Sequence, residues 1–218
     1  MKSWNWERKG QLVVGIDPGE HSGFCVVYTQ PVEGYARMPR SHVLFSSPSF
    51  EHLAAYLAGA WDQVVVLVED QYKGKASAAS RTTLSQRAGF LAGSCAALGV
   101  PLDNIVFVAP QTWYKHLGCP RGTTKDVCLA RVERNLSVAE LMTLEVSCGP
   151  DKLYAAYRLD VLAAIGIAWS YPFLTELELK RGRKLLVMGS EPKKPRKKQA
   201  NRKRGQPLTE LPKSWRKK

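Results

Sequence analysis

The chain has 218 residues, 44% of them hydrophobic, which is enough for one α/β domain with a buried core and a tail. Its net charge is +13, yet residues 180–218 carry +14 and residues 1–179 carry −1. A nearly neutral body is therefore followed by a cationic extension suited to polyanions. No stretch approaches the ~18 apolar residues that cross a bilayer, so a membrane protein is not expected. The five cysteines (Cys25, Cys95, Cys119, Cys128, Cys148) include no C-x-x-C pair, and residues 1–9 lack the apolar core of a secretory signal. Together these predict reduced thiols in a cytoplasmic protein and no zinc site.

In chain order, Leu12–Asp17 (L-V-V-G-I-D) is an apolar run closed by an acid and broken at once by Pro18 and Gly19. That pattern predicts a buried central strand with Asp17 at its carboxyl end, where open α/β sheets place ligands. Taken by itself, Asp17 serves equally well as a turn residue accepting local hydrogen bonds. Gly23–Tyr28 (G-F-C-V-V-Y) predicts a second strand in a hairpin with the first, and residues 41–45 a third antiparallel strand. Residues 50–60 have helical spacing. Val64–Glu69 (V-V-V-L-V-E) is a β-branched run that again ends in an acid.

Residues 76–98 are rich in Ala and predict a long helix with a narrow face, suited to lying on the sheet or meeting a second subunit. A strand at residues 105–109, a short helix at 111–117, a helix at 125–136 and a long apolar helix at 153–170 complete the body. This order predicts a mixed five-stranded sheet, three strands antiparallel and the rest parallel, flanked by helices. The expected organisation is an N-terminal extension over residues 1–10, one domain over 11–179, and a disordered basic tail over 180–218.

Three carboxylates stand out. Asp17 and Glu69 each end a buried strand, and parallel pairing would set both at one sheet edge. Asp160 sits inside an apolar helix between Leu159 and Val161, an unusual place for an acid without a partner. Asp70 adjoins Glu69, but strand side chains alternate faces, so Glu69 is the one assigned. Separate arrangements remain open: Glu69 paired with Lys73 or Lys75, and Asp160 paired with Arg158 or facing solvent. Convergence of all three would need cations, and hard oxygen donors suit magnesium or manganese. Two such ions can activate water and stabilise the leaving oxygen of a phosphodiester.

With these acids in place the chain resembles the RuvC-type Holliday junction resolvases of the RNase H-like superfamily. The likeness spans about residues 11–170. It rests on G-I-D-P-G at residues 15–19, S-G-F at 22–24, V-E-D-Q-Y at 68–72 and D-V-L-A-A-I-G-I-A at 160–168. It implies an RNase H-like fold and a homodimeric, Mg2+-dependent endonuclease (Mn2+ substituting, two ions per site) that makes paired nicks in a four-way DNA junction. Carried over by position, Asp17, Glu69 and Asp160 would be the metal ligands and catalytic acids. Tyr72 would stack on a base near the junction point. Lys125 would be a catalytic, basic residue near the scissile phosphate, and Lys115 would lie close to the position of a second, with a solvated surface lysine the alternative for each. One departure stands: the family's fourth ligand, one turn before the last acid, is Tyr157 here. Asp151, nine residues before Asp160, falls on the opposite side of a helix at ~100° per residue.

The tail run K-K-P-R-K-K-Q-A-N-R-K-R at residues 193–204 offers Lys193, Lys194, Arg196, Lys197, Lys198, Arg202, Lys203 and Arg204 to phosphates. Its DNA binding is expected to be sequence-independent and salt-sensitive. A solubilising tail or a nuclear-import signal has the same composition. Two readings compete with junction resolution: a nuclease for other branched DNA, as in phage genome processing, which the small size and tail would suit, and a catalytically silent branched-DNA-binding protein. A sugar-kinase-like protein is disfavoured because no Gly-rich phosphate loop follows.

Overall fold

Burial with a period of two organises the sheet. In the first strand, β1 (Leu12–Asp17), Val13 packs with one core cluster while Val14 and Ile16 pack with another, and all three are fully buried. A strand covered on both faces needs apolar residues at every position, which is why this segment reads as an unbroken hydrophobic run. The computed structural model describes residues 10–29, 41–70, 78–148 and 154–187. The remaining strands are β2 (Gly23–Tyr28), β3 (His42–Ser47), β4 (Val64–Glu69) and β5 (Ile105–Val108). Their order across the sheet is β3-β2-β1-β4-β5. β1–β2 and β2–β3 are antiparallel; β1–β4 and β4–β5 are parallel. With its helices this is the RNase H-like fold that the sequence motifs imply.

Two helical layers cover the sheet. On one face lie α1 (Phe50–Tyr56) and α2 (Ala78–Ala97). On the other lie α3 (Pro110–His116), α4 (Lys125–Arg134), α5 (Val138–Cys148) and α6 (Tyr154–Ser170), with α7 (Glu176–Val187) against β5. α6 crosses β1 and β2 at very short range. A Cβ added at Gly15 would strike the carbonyl oxygen of Ala164, and one added at Gly23 would strike the carbonyl oxygen of Asp160. Only glycine leaves room for this backbone-on-backbone contact.

Most expected elements are present, with ends moved by one to four residues. The third strand extends to Ser47 rather than stopping at 45. The first helix ends at Tyr56, ahead of Gly59, which takes a φ of +81°. Two helices were not expected from hydrophobic periodicity, and both begin with a capping box. For α5, the Ser137 N–H donates to Glu140 Oε2 at 2.7 Å, and the Glu140 N–H donates to Ser137 Oγ at 3.3 Å. For α7, the Thr175 N–H donates to Glu178 Oε2 at 2.8 Å, and the Glu178 N–H donates to Thr175 Oγ1 at 3.2 Å. α7 also corrects the expected start of the tail. Leu179 is buried and Gly182 lies against Val106 and Phe107 of β5, so the folded body continues beyond residue 180 to Val187.

The cysteines of the body are free thiols, all buried, and burial pushes the Cys25 and Cys95 thiols up to about 12. Among the described residues, no helix is long and apolar enough to cross a membrane.

Candidate active site

Register and alternation bring the acids together. β1 and β4 run parallel with Ile16 opposite Val68, so Asp17 and Glu69 leave the sheet at the same edge. Both lie in phase with Val13 and Leu67, hence on the face that α6 covers. Asp70, one residue on, leaves the ladder, its N–H donating to the Val108 carbonyl at 2.8 Å. Asp17 and Glu69 are buried, at 0% and 1% exposure. Asp160 arrives from α6: the Gly19 Cα lies so close that an added Cβ would sit 2.7 Å from Asp160 Oδ2.

Lys125 joins the acids. Its Nζ lies 2.6 Å from Asp17 Oδ2 and 3.6 Å from Asp160 Oδ1. As the first residue of α4 it stands at the positive end of a helix, the wrong end for a cation. The acids compensate: burial acts to lower its pKa, but Asp17, Glu69 and Asp160 outweigh that and hold it above the ordinary lysine value. Asp17 is further fixed by the Gly19 N–H, which donates to Oδ1 at 3.1 Å.

Glu69 receives the indole N–H of Trp113, a fully buried residue in the middle of α3, which donates to Oε1 at 2.9 Å. Burial pushes the Glu69 carboxyl up to about 8, the neighbouring Asp17 adds to this, and Lys125 and Trp113 oppose it. Asp160 is raised for the same reasons, burial first and Asp17 second, against Lys125 and a backbone hydrogen bond from His21. Tyr114 packs edge-on against Trp113 with ring centroids 4.2 Å apart. Its hydroxyl is raised above the usual tyrosine range by burial and then by Glu69. Sequence reasoning missed Trp113, Tyr114 and His21, because nothing in Q-T-W-Y or E-H-S declares which side chain reaches across the sheet.

The proposed separate pairings do not form where they can be seen. Arg158 pairs with Glu133, leaving Asp160 to Lys125. Lys115 does not join the acids through any of its resolved pairings; its Nζ lies 2.8 Å from Glu178 Oε1 on α7. Tyr157, at the position of the family's fourth ligand, packs edge-on against His21 with centroids 5.1 Å apart. Tyr72, Lys73, Lys75, Asp151 and the tail cations from Lys193 to Arg204 lie outside the described residues.

The donor set suits a hard divalent cation: all three side chains are carboxyls, Asp17 and Glu69 are buried, and Asp17 and Asp160 meet at the ammonium of Lys125. Among the described residues, no three His, Cys, Asp or Glu side chains form a ready-made metal cage, so the fit is one of donor chemistry.

The solved structures similar to the chain include two of RuvC. The structure of RuvC from Thermus thermophilus is 18% identical with a TM-score of 0.43, over 75% of this chain and 94% of that one. T. thermophilus RuvC in complex with a Holliday junction substrate is 21% identical with a TM-score of 0.41, over 83% and 97%. No protein-family model and no curated protein matches the chain. Likeness at this level assigns no chemistry, which has to come from the chain's own side chains.

Proposed function

We propose that the protein is a structure-selective, metal-dependent endodeoxyribonuclease that resolves four-way DNA junctions by paired nicks. The observation that carries this reading is the convergence of Asp17, Glu69 and Asp160 from β1, β4 and α6, with Lys125 between two of them. Asp17 and Glu69 are buried and Asp17 raises both Glu69 and Asp160, so the acids repel one another, and a fold that gained nothing from them would lose stability by keeping them. Magnesium or manganese, two ions per site, would supply the activated water and stabilise the leaving oxygen. Asp17, Glu69 and Asp160 would hold those ions, with Trp113 fixing the rotamer of Glu69 and the His21 backbone fixing Asp160. Lys125, freed from Asp17, would neutralise the scissile phosphate.

Paired cuts call for two sites, hence a homodimer. The exposed face of α2, where Gly89 and Gly93 look onto open space, is the proposed seam. Tyr72 would stack on an exposed base, and the tail would hold phosphates. A second reading, a silent binder of branched DNA, draws support from Tyr157, which is engaged by His21 where the family places a ligand. The deciding experiment is nicking of a labelled four-way junction and a matched duplex in magnesium by wild type and Asp17→Asn. Symmetric junction cuts abolished by Asp17→Asn are expected; tight binding with no cuts in magnesium or manganese would establish the silent binder instead.

A further inference from the structure

Helix α5 spends only part of its apolar surface on the core. Leu144 and Cys148 are buried with Leu141 packed beside them, whereas Val138, Met142 and Val146 stand 74%, 62% and 82% exposed. At ~100° per residue a spacing of four keeps those three in one stripe, about 80° wide and turned away from the buried side. The stripe is about 12 Å long, room for two or three large side chains. Neither the helix cap nor the hold on the sheet uses it: Glu140 carries the cap and accepts the Val43 N–H at 3.0 Å. An outward apolar row costs free energy in water unless something covers it, and so marks a contact surface.

Charge and reach select the occupant. The charged residues of α5 are Glu140 and Glu145, both acidic, and Glu145 adjoins the stripe. A second copy of α5 would bring like charges together, so the complement is an apolar segment bordered by cations. Residues 208–218, L-T-E-L-P-K-S-W-R-K-K, lie outside the described residues and have that composition: Leu208, Leu211 and Trp215 stand among Lys213, Arg216, Lys217 and Lys218. From Gly189 to Pro207 no large apolar side chain occurs, which sets the segment apart. α7 lies against β5 and α5 against β3, at opposite edges of the sheet and roughly 19 Å apart at the ordinary strand spacing. Residues 188–207, which separate α7 from the segment, would average roughly 25 Å end to end as a coil. A linker matched to its span gives an effective concentration on the order of 1 mM, so even a contact with a dissociation constant of about 1 mM is half occupied.

We propose that residues 208–215 of the chain dock on the Val138, Met142 and Val146 face of α5, through Leu208, Leu211 and Trp215, with the neighbouring cations against Glu145. The basic run at residues 193–204 is then a loop held at two points, by α7 and by α5. The use of that loop to hold DNA rests on the branched-DNA reading; the docking itself does not.

The test places the photocrosslinker p-benzoylphenylalanine at Ser214 in the full chain, irradiates an equal mixture of isotopically light and heavy protein, and maps the links by mass spectrometry. Links to residues 138–148 within one chain are expected. Their yield should fall about tenfold in Trp215→Ala and in the double variant Val138→Ser with Val146→Ser. Both valines are exposed, and an unchanged circular dichroism spectrum keeps loss of docking distinct from loss of fold. Glu145→Lys should lower the yield in low salt, with the gap to wild type closing in high salt; an equal yield in low salt overturns the cationic partner. Links joining light to heavy chains would give the face to a second copy and overturn the proposal. Links spread over the body, or unchanged in Trp215→Ala and in the valine variant, overturn it too. No DNA is present, so these outcomes stand whether or not the nuclease reading does.

Discussion

Lys125 couples two of the three acids, and its replacement separates charge from shape. In Lys125→Met the stem still packs but Asp17 loses its counter-charge at 2.6 Å. Removing one partner of a fully buried pair costs about 3–5 kcal/mol; Lys125 is about a third exposed, so screening makes the penalty here smaller, and an added divalent cation should relieve it. We therefore expect Lys125→Met to melt well below wild type in EDTA and to recover most of the difference in magnesium, read by thermal denaturation. Trp113→Phe removes the donor to Glu69 while keeping an aromatic ring. With Glu69 ionised beside a bound divalent cation, a hydrogen bond to a charged group contributes about 1.5–3 kcal/mol, so junction cleavage should fall at least tenfold while junction affinity, measured without divalent ions, stays near wild type.

At the scale of elements, the capping boxes give a stability prediction with a defined pH window. Burial acts to raise the Glu178 carboxyl, but Lys115, Thr175 and His116 outweigh it and hold it down at about 2. A carboxyl lowered on folding contributes stability that is fully present above its unfolded value near 4.5 and is lost as pH falls towards 2. Thus Glu178→Gln should cost about 1 kcal/mol at pH 7 in urea unfolding, and the gap to wild type should narrow from pH 4.5 downward. A gap that widened on acidification would contradict this. The strands and the acids were legible because alternation and apolar runs encode burial directly, as at V-V-G-I-D and V-V-V-L-V-E. α5 and α7 were not: α5 has weak apolar spacing, and α7, though amphipathic, is rich enough in Lys and Arg to read as part of the basic tail; their local signals were S-V-A-E and T-E-L-E at residues 137–140 and 175–178. Trp113 was illegible for a different reason: its partner Glu69 is 44 residues away, and only the tertiary fold makes them neighbours.

For the whole molecule, charge is concentrated beyond the folded body, with +3 over residues 1–187 and +10 over residues 188–218, and the two should have separable tasks. Deleting residues 190–218 should weaken binding to duplex and junction alike and flatten the salt dependence, each lost phosphate contact removing about 0.9 from the slope of log K against log salt. If the deletion abolished junction preference while leaving duplex affinity intact, the tail would be a structural reader instead of an anchor.

The contact of α6 with β1 and β2 through Gly15 and Gly23 has a bearing on how such a protein can change over time. Asp160 is located by main-chain atoms resting on main-chain atoms, and side-chain volume elsewhere has little leverage on it. The apolar residues filling the two cores can exchange for one another, within their packing limits, while the distance between Asp160 and Asp17 holds. Sequence drift is confined to the walls, and the geometry of the acids is inherited through two absences of a methyl group.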